Sequence, residues 1–492
     1  MMNRHKSAQL LLCIICGCLL AGCMVGPDYE RPETVAETAK SYVRTGKHLQ
    51  DVDDPNAVNR WWEEFGDATT AELVREALGN NNDLKAAAAR VLQAGAALAE
   101  AHGRRLPDVS YDITRTRSKQ SFNLGGGPFG GGRFTVMSTT WAQNISVSYV
   151  LDFFGKLKRA ERAAWSDMFA AQAMEQALVN TTIAMVISAR IEIATLQRRL
   201  AIAKANIASR QHTLEIVEQR YQRGLVGPVD VRLARENLET SMADKPSLEL
   251  SLAKAHNALD VLLGRQPATS PALPETLPEL PDLKPVPIGM PAALLDRRPD
   301  VMAAEFSLRS SNELIGMSIA QLYPDFTLTA AYGSSADRWR DIWEHFAETY
   351  SLLNRMVQPV FRGGQIRAQI DASKARFAEL AANYTTTILG AMQEVEDALA
   401  GEMYLQEQLG HAQARLVEAK AAEQLSRQRY ERGVESILTV LESERRSRIA
   451  EETLELLKGQ IWTTRVNLHL AVGGDWDGSD QEITDNGSND EQ

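Results

Sequence analysis

The amino-acid sequence predicts a mainly α-helical, internally duplicated chain that lends strands to a membrane β-barrel. Two observations carry this: a long apolar heptad seam that occurs twice, and a pair of one-face-apolar strands in each half. The first seam alternates spacings of three and four through Val186, Ala189, Ile193, Leu196, Leu200, Ala203, Ile207, Arg210, Leu214, Val217 and Tyr221. Only Arg210 interrupts it, and such a repeat marks a helix that packs along its whole length. The second runs through Ile388, Ala391, Val395, Ala398, Leu405, Leu409, Ala412, Leu416 and Ala419. Both close on an Arg-Tyr-x-x-Gly turn, with Tyr430 placed 209 residues after Tyr221. At ~1.5 Å per residue each helix would be roughly 100 Å long, beyond any compact domain. The 492 residues therefore read as one body made of two similar halves.

Net charge is −11, which speaks against a nucleic-acid partner, and 24% charged residues exclude a bundle of transmembrane helices. Residues 1–22 read as an export signal: Arg4, His5 and Lys6 precede an apolar stretch, Leu10 to Leu20, too short to span a bilayer. Leu20-Ala21-Gly22-Cys23 follows. Cys13, Cys16 and Cys18 lie within the signal, so no disulfide and no metal cluster is expected of the mature chain.

The elements follow in order. Residues 23–66, with Pro27, Pro32 and Pro55, read as an extended tether. Repeat 1 covers 67–264. Its first helix is Ala-rich with a polar break at Asn80 to Asp83, where Asn82 or Asp83 would cap the second part. Strands are expected at about 107–119 and 139–152, because Val109, Tyr111 and Ile113, then Ile145, Val147, Tyr149 and Leu151, alternate with polar residues. The run Gly125 to Gly132 between them lacks the Lys-Ser/Thr and the helix that phosphate binding requires, so it reads as an exposed loop. A long helix at 155–222 and a return helix at 229–263 complete the half, with a kink or break expected at Pro246. Eight prolines between Pro267 and Pro291 make 265–298 a stiff connector. Repeat 2, 299–474, gives a helix at 299–322, strands at about 324–334 and 351–361, a long helix at 363–432 and a return helix at 436–471. Residues 475–492 carry seven acidic and no basic residues and read as a solvated, disordered tail.

The strands approach the ~9–11 residues that a tilted membrane strand needs. Four cannot close a barrel, and an open edge in lipid leaves backbone groups unsatisfied. Two copies would give eight strands, which their own side chains fill, so a conducting pore favours three or more copies.

The chain resembles a known family at Tyr29-Glu30-Arg31-Pro32, Trp61-Trp62, Leu151-Asp152-Phe153-Phe154-Gly155 and Arg298-Pro299-Asp300-Val301 with Ala303-Ala304-Glu305. Ile315-Gly316, Tyr323-Pro324 and the two Arg-Tyr-x-x-Gly turns complete the set. These are similar to the TolC-like outer-membrane factors, in the lipoprotein (NodT-type) efflux branch. The resemblance implies a lipid on Cys23 and no other cofactor. It implies a homotrimer with a twelve-stranded outer-membrane barrel and a twelve-helix periplasmic tunnel. Its implied partners are a periplasmic adaptor protein and an inner-membrane pump of the resistance-nodulation-division type, with outer-membrane lipid around the barrel.

By the same resemblance, acidic rings near the periplasmic tips select cations. One family acidic position falls on Glu442, another on Thr439, and a basic latch position falls on Glu435, with reversed charge. Three copies of Glu442 around an axis would attract cations and raise one another's pKa. Glu435, Glu442 and Asp230 are thus the gate candidates, and each also suits a helix start as a solvated acid. Gly224, Leu225 and Val226, with Gly433 and Val434, are the docking candidates, because apolar residues at exposed turns mark contact surfaces. Tyr221 and Tyr430, on the seam, are expected in the core.

No catalytic constellation is present: no His-Glu-x-x-His, Walker loop or dinucleotide fingerprint sits on the fold it needs. An enzyme is not expected. An outer-membrane duct of an ABC-driven protein export system, or a pore-less coiled-coil scaffold, stand as the alternatives to an efflux duct.

Overall fold

The computed structural model describes residues 24–39, 41–44, 61–62, 66–123, 132–269, 271, 273–274 and 291–474. The export signal, Cys23, most of the glycine run, most of the proline connector and the acidic tail lie outside them. The helices are α1 (Val35–Thr38), α2 (Ala68–Asn80), α3 (Asn82–Gly103), α4 (Lys156–Gln222), α5 (Pro228–Leu262), α6 (Leu294–Arg297), α7 (Pro299–Ala320), α8 (Gln365–Glu431) and α9 (Ile437–Ala471). The strands are β1 (Asp108–Asn123), β2 (Arg133–Leu151), β3 (Asp325–Ala336) and β4 (Glu348–Val357). Two compact units divide the chain, and α3, α4, α7 and α8 contribute residues to both.

The first unit holds the described residues within 24–32, 91–170 and 304–383. Its four strands form one antiparallel sheet in the order β1-β2-β3-β4. The hairpin β1–β2 pairs without interruption from Asp108↔Ser148 to Asn123↔Arg133. β2 pairs with β3 only between Trp141↔Ala336 and Leu151↔Phe326. Part of the hairpin therefore extends past the register of the other two strands, and β1 and β2 are longer than the alternation of apolar residues predicts. The free edges of β1 and β4 have no strand beside them among the described residues; nearly every residue of these two edge strands is exposed, while about half of β2 and most of β3 are partly covered.

The same unit explains several of the sequence motifs. The segment after Met24 forms a strap: Val25 N–H donates to the Phe154 carbonyl at 3.2 Å, and Asn312 donates to the Pro27 carbonyl at 3.1 Å. Gly26 has φ +103, and a Cβ on it would come within 2.5 Å of the Gly316 Cα. Only glycine at both positions permits that approach. Arg159, 1% exposed, donates to Glu313 at 2.8 Å and to the Gly26 carbonyl at 3.3 Å. Buried Glu305 accepts from Arg309 and Arg31, both at 2.7 Å. Breaking one side of such a buried pair costs about 3–5 kcal/mol.

The second unit holds the described residues within 33–90, 171–303 and 384–474. Its core gathers Trp61, Ile183, Val186, Ile187, Leu259, Leu263, Trp462 and Val466, seam residues and return-helix residues together. Trp61 stacks on His469 at 5.1 Å, and burial with the nearby Arg465 charge pushes the His469 imidazole down to about 3. Arg298 reaches Asp300 at 2.7 Å, Glu394 at 2.6 Å and the Ala471 carbonyl at 3.1 Å, which joins the start of α7 to α8 and the end of α9.

Three expectations are corrected. α5 runs unbroken through Pro246. That residue is exposed, as is Met242 one turn before it, so water can satisfy the carbonyl that lost its donor. The cap of α3 is Asn81, not Asn82 or Asp83: its Oδ1 accepts from the Asp83 and Leu84 amides at 2.8 and 3.1 Å. Tyr221 is 47% exposed, whereas Tyr430 is buried. Arg210 keeps its place on the seam by donating to the Asn237 carbonyl of α5 at 2.6 Å.

Candidate gate and docking tips

α4 and α8 end in the same way because the sequence ends them in the same way. Gly224 and Gly433 take φ +69 and +79, a conformation costly for other residues. The following amides return to the helix, Leu225 to the Arg220 carbonyl at 2.9 Å and Val434 to the Arg429 carbonyl at 3.0 Å. Each turn then places an apolar side chain outward, Leu225 at 62% and Val434 at 63% exposure. Val226 turns inward instead, onto Val217, Ala234, Tyr430, Ile437 and Val440.

The two turns are tied to one another. Arg220 of α4 lies over the Tyr430 ring at 4.5 Å and donates to the Tyr430 carbonyl of α8. The five docking candidates thus belong to one assembly of turns. Its core raises the Tyr430 phenol by burial, against the Arg220 charge that would lower it.

Beside it, α9 begins at Ser436, whose Oγ accepts from the Thr439 amide at 3.4 Å. Glu435 accepts from the Ser436 amide at 3.2 Å and the Thr439 hydroxyl at 3.0 Å, and these bonds hold its carboxyl below the usual range. Arg429 stands 3.5 Å away. Glu435 therefore braces the start of α9 rather than projecting free.

One turn on, Glu442 is clamped by two arginines of its own helix. Arg445 reaches it through two nitrogens at 2.8 and 2.9 Å, and Arg446 at 2.7 Å. Those bonds push its carboxyl down to about 2, the opposite direction from mutual repulsion in a ring. Asp230 lies in the first turn of α5 and is half-buried. Its charge is felt at Tyr430.

Sequence reasoning missed Glu444. It is buried, accepts from the Thr213 hydroxyl of α4 at 2.6 Å, and pairs with Arg427 of α8 at 3.1 Å. Three helices meet on this one carboxylate. The signal was present: continuing the three–four spacing from Ile437 and Val440 puts a charged residue on the apolar seam at 444. Cys23 lies outside the described residues.

The model of the outer membrane efflux protein family matches residues 73–265 and 290–474. The chain belongs to the outer membrane efflux protein family. Among these proteins it is 30% identical to the toluene efflux pump outer membrane protein TtgF of Pseudomonas putida, over 94% of this chain and 97% of that one. It is 29% identical to the outer membrane protein OprJ of Pseudomonas aeruginosa, over 96% and 97%. The solved outer-membrane channel OprN is 28% identical and superposes with a TM-score of 0.83 over 92% of this chain and all of that one. This efflux protein is thus a TolC-like, NodT-type outer-membrane factor. It is an outer-membrane efflux channel of a Gram-negative bacterium, with a large helical periplasmic part. The pore-less scaffold is set aside, and the family is one of channels rather than enzymes.

Proposed function

We propose that three copies of this efflux protein close a twelve-stranded outer-membrane barrel, continued by twelve periplasmic helices, and serve as the passive exit duct of a tripartite pump. The observation that carries this is the open sheet. Its two outer edges are unpaired among the described residues, and the residues of both edge strands are exposed. In lipid each unsatisfied backbone group costs several kcal/mol, so further copies must supply the missing strands. Lipid on Cys23 would hold the periplasmic side of the barrel.

In this reading the outward Leu225 and Val434 dock a periplasmic adaptor, and through it an inner-membrane pump of the resistance-nodulation-division type. Relatives are named for different cargoes, toluene for one and pyoverdine for another. A duct shared by such different molecules leaves their selection to the pump. Glu442 contributes to a cation-attracting constriction at the tips, with its charge kept by the arginine clamp and not by a free ring.

A single cysteine at the tip tests the assembly, as Leu225→Cys or as Ser436→Cys, both exposed, with crosslinking in cells. Capture of an adaptor that serves a proton-driven pump is the expected result. Capture of an ABC exporter's adaptor would move the reading to protein secretion.

A further inference from the structure

The β1–β2 hairpin carries a charge pattern that conduction does not need. Between Ile113 and Leu151 there are four basic residues, Arg115, Arg117, Lys119 and Arg133, and no acidic one. The register Asn123↔Arg133, Lys119↔Met137, Arg117↔Thr139 and Arg115↔Trp141 puts all four on a single face, since directly opposed residues share a side. All four are exposed, and none has a carboxylate partner among the described residues.

That face changes character along its length. Toward the helices it carries Tyr111, Ile113, Ile145 and Val147, joined in register by Tyr332 and Leu352 of β3 and β4. The other face carries Ser110, Ser146, Ser148 and Thr329. In a membrane barrel the apolar face is the lipid face. The basic residues therefore stand on the lipid-facing side, beyond its apolar part. Trp141 marks the change, with the Arg115 guanidinium 5.1 Å from its ring centre and Trp339 packed against it at 5.1 Å. From Trp141 to Leu151 the strand covers about 33 Å at ~3.3 Å per residue. Tilted by ~40°, that is about 25 Å of height, the apolar band of an outer-membrane barrel, and aromatic residues belong at its rim. At the other rim are Phe153, Phe154 and Tyr323, Phe154 stacked on Tyr323 at 4.6 Å.

We infer that Arg115, Arg117, Lys119 and Arg133 form a binding surface for the phosphorylated glycolipid of the outer leaflet. The occupant follows from charge and height. These outward-facing cations run from the aromatic rim at Trp141 to about 20 Å above it, eight residues along β2 at ~3.3 Å each and a ~40° tilt, and so meet the sugar-phosphate headgroups of that glycolipid rather than channel cargo. Guanidinium groups pair with phosphate oxygens through paired hydrogen bonds. The apolar lower face takes the acyl chains of the same molecule. This inference rests on the membrane barrel proposed above.

The test uses the full-length, detergent-solubilised protein, titrated with purified bis-phosphorylated lipid A or its dephosphorylated form, with bound lipid counted by native mass spectrometry. Retention of the phosphorylated form should exceed that of the dephosphorylated form about tenfold. The Arg117→Gln, Lys119→Gln, Arg133→Gln variant should lose that preference while its helix content and oligomeric state stay unchanged. Equal binding of both forms, or a triple variant that binds as the parent does, overturns the proposal. Displacement by millimolar inorganic phosphate would mean a small-anion site instead. A triple variant that falls apart into single chains with its preference intact would assign these cations to carboxylates of a second copy. Labelling of intact cells by a membrane-impermeant maleimide separates this from the barrel itself. Lys119→Cys should label and Ile145→Cys should not. Labelling at both removes the barrel and the inference together; protection at 145 without phosphate preference removes the inference alone.

Discussion

The two turns at the helix ends are near copies in sequence and differ in what they hold. Arg-Tyr-Gln-Arg-Gly and Arg-Tyr-Glu-Arg-Gly close with the same hydrogen bonds and the same left-handed glycine. Yet Tyr430 is 3% exposed and Tyr221 is 47% exposed. Arg220, the first residue of the first motif, covers Tyr430 of the second, while its counterpart Arg429 faces Glu435 in solvent. Duplication copies the backbone program of a turn. What each side chain touches is set by the neighbour across from it, and the neighbours are not copies.

Several changes would break this asymmetry, with effects that should descend in order. Tyr430→Ala should cost about 3–5 kcal/mol as an emptied aromatic site, against about 0.5 kcal/mol for Tyr221→Ala at the surface. Thermal unfolding of the two solubilised variants side by side would read the gap. Equal losses would mean that Tyr221 is as well packed as Tyr430. Tyr430→Phe sharpens the point: its hydroxyl is buried with no hydrogen-bond partner among the described residues, so its removal should leave stability unchanged or slightly higher.

Next comes the arginine pair. Arg220→Ala loses a ring contact and a carbonyl partner, about 1–2 kcal/mol, whereas Arg429→Ala should not move the transition measurably. Ser436→Ala should cost about 1 kcal/mol as a lost cap. The other return helix starts at Gly227 with Pro228 behind it and uses no side-chain cap, so Gly227→Ser should be neutral or mildly stabilising.

The smallest effect on stability, and the most direct on conduction, concerns Glu442. Its carboxyl is lowered from 4.5 to about 2, so whatever the ion pairs contribute is complete above about pH 4.5. It fades as the pH falls through about 2. Cation preference in single-channel recordings should therefore persist at pH 4 and disappear in Glu442→Gln. Replacing Arg445 and Arg446 together by Gln should raise the carboxyl pKa, and the preference should then weaken already near pH 4. An unchanged reversal potential in Glu442→Gln would exclude it from the conducting path.

Much of the fold was legible because its signals are local and repeated. The three–four seam, the period-two strands and the glycine ends each depend on residues a few positions apart. The motif residues were legible as a resemblance, and the structure supplies their physical content. Tyr29, Arg31 and Glu305 form one polar cluster, and Arg159 ties the strap to α7. What escaped was decided between elements. No pattern along α4 says that Arg220 will cover Tyr430. A carboxylate on an apolar seam, as at Glu444, reads as a flaw until helices from both halves are seen to meet on it. Pro246 was misjudged for a related reason: its cost depends on whether the carbonyl it releases can reach water, and the sequence does not give that.

The strap has a consequence for how this chain matures. Residue 27 is held by residue 312, and Gly26 lies flat on Gly316. Residues 26 and 27 therefore wait for the second half of the chain before they can settle. This corner is sewn shut late, only once residues 312–316 have been made. A contact of such long range is slow to form, so the strap settles among the last parts of its unit.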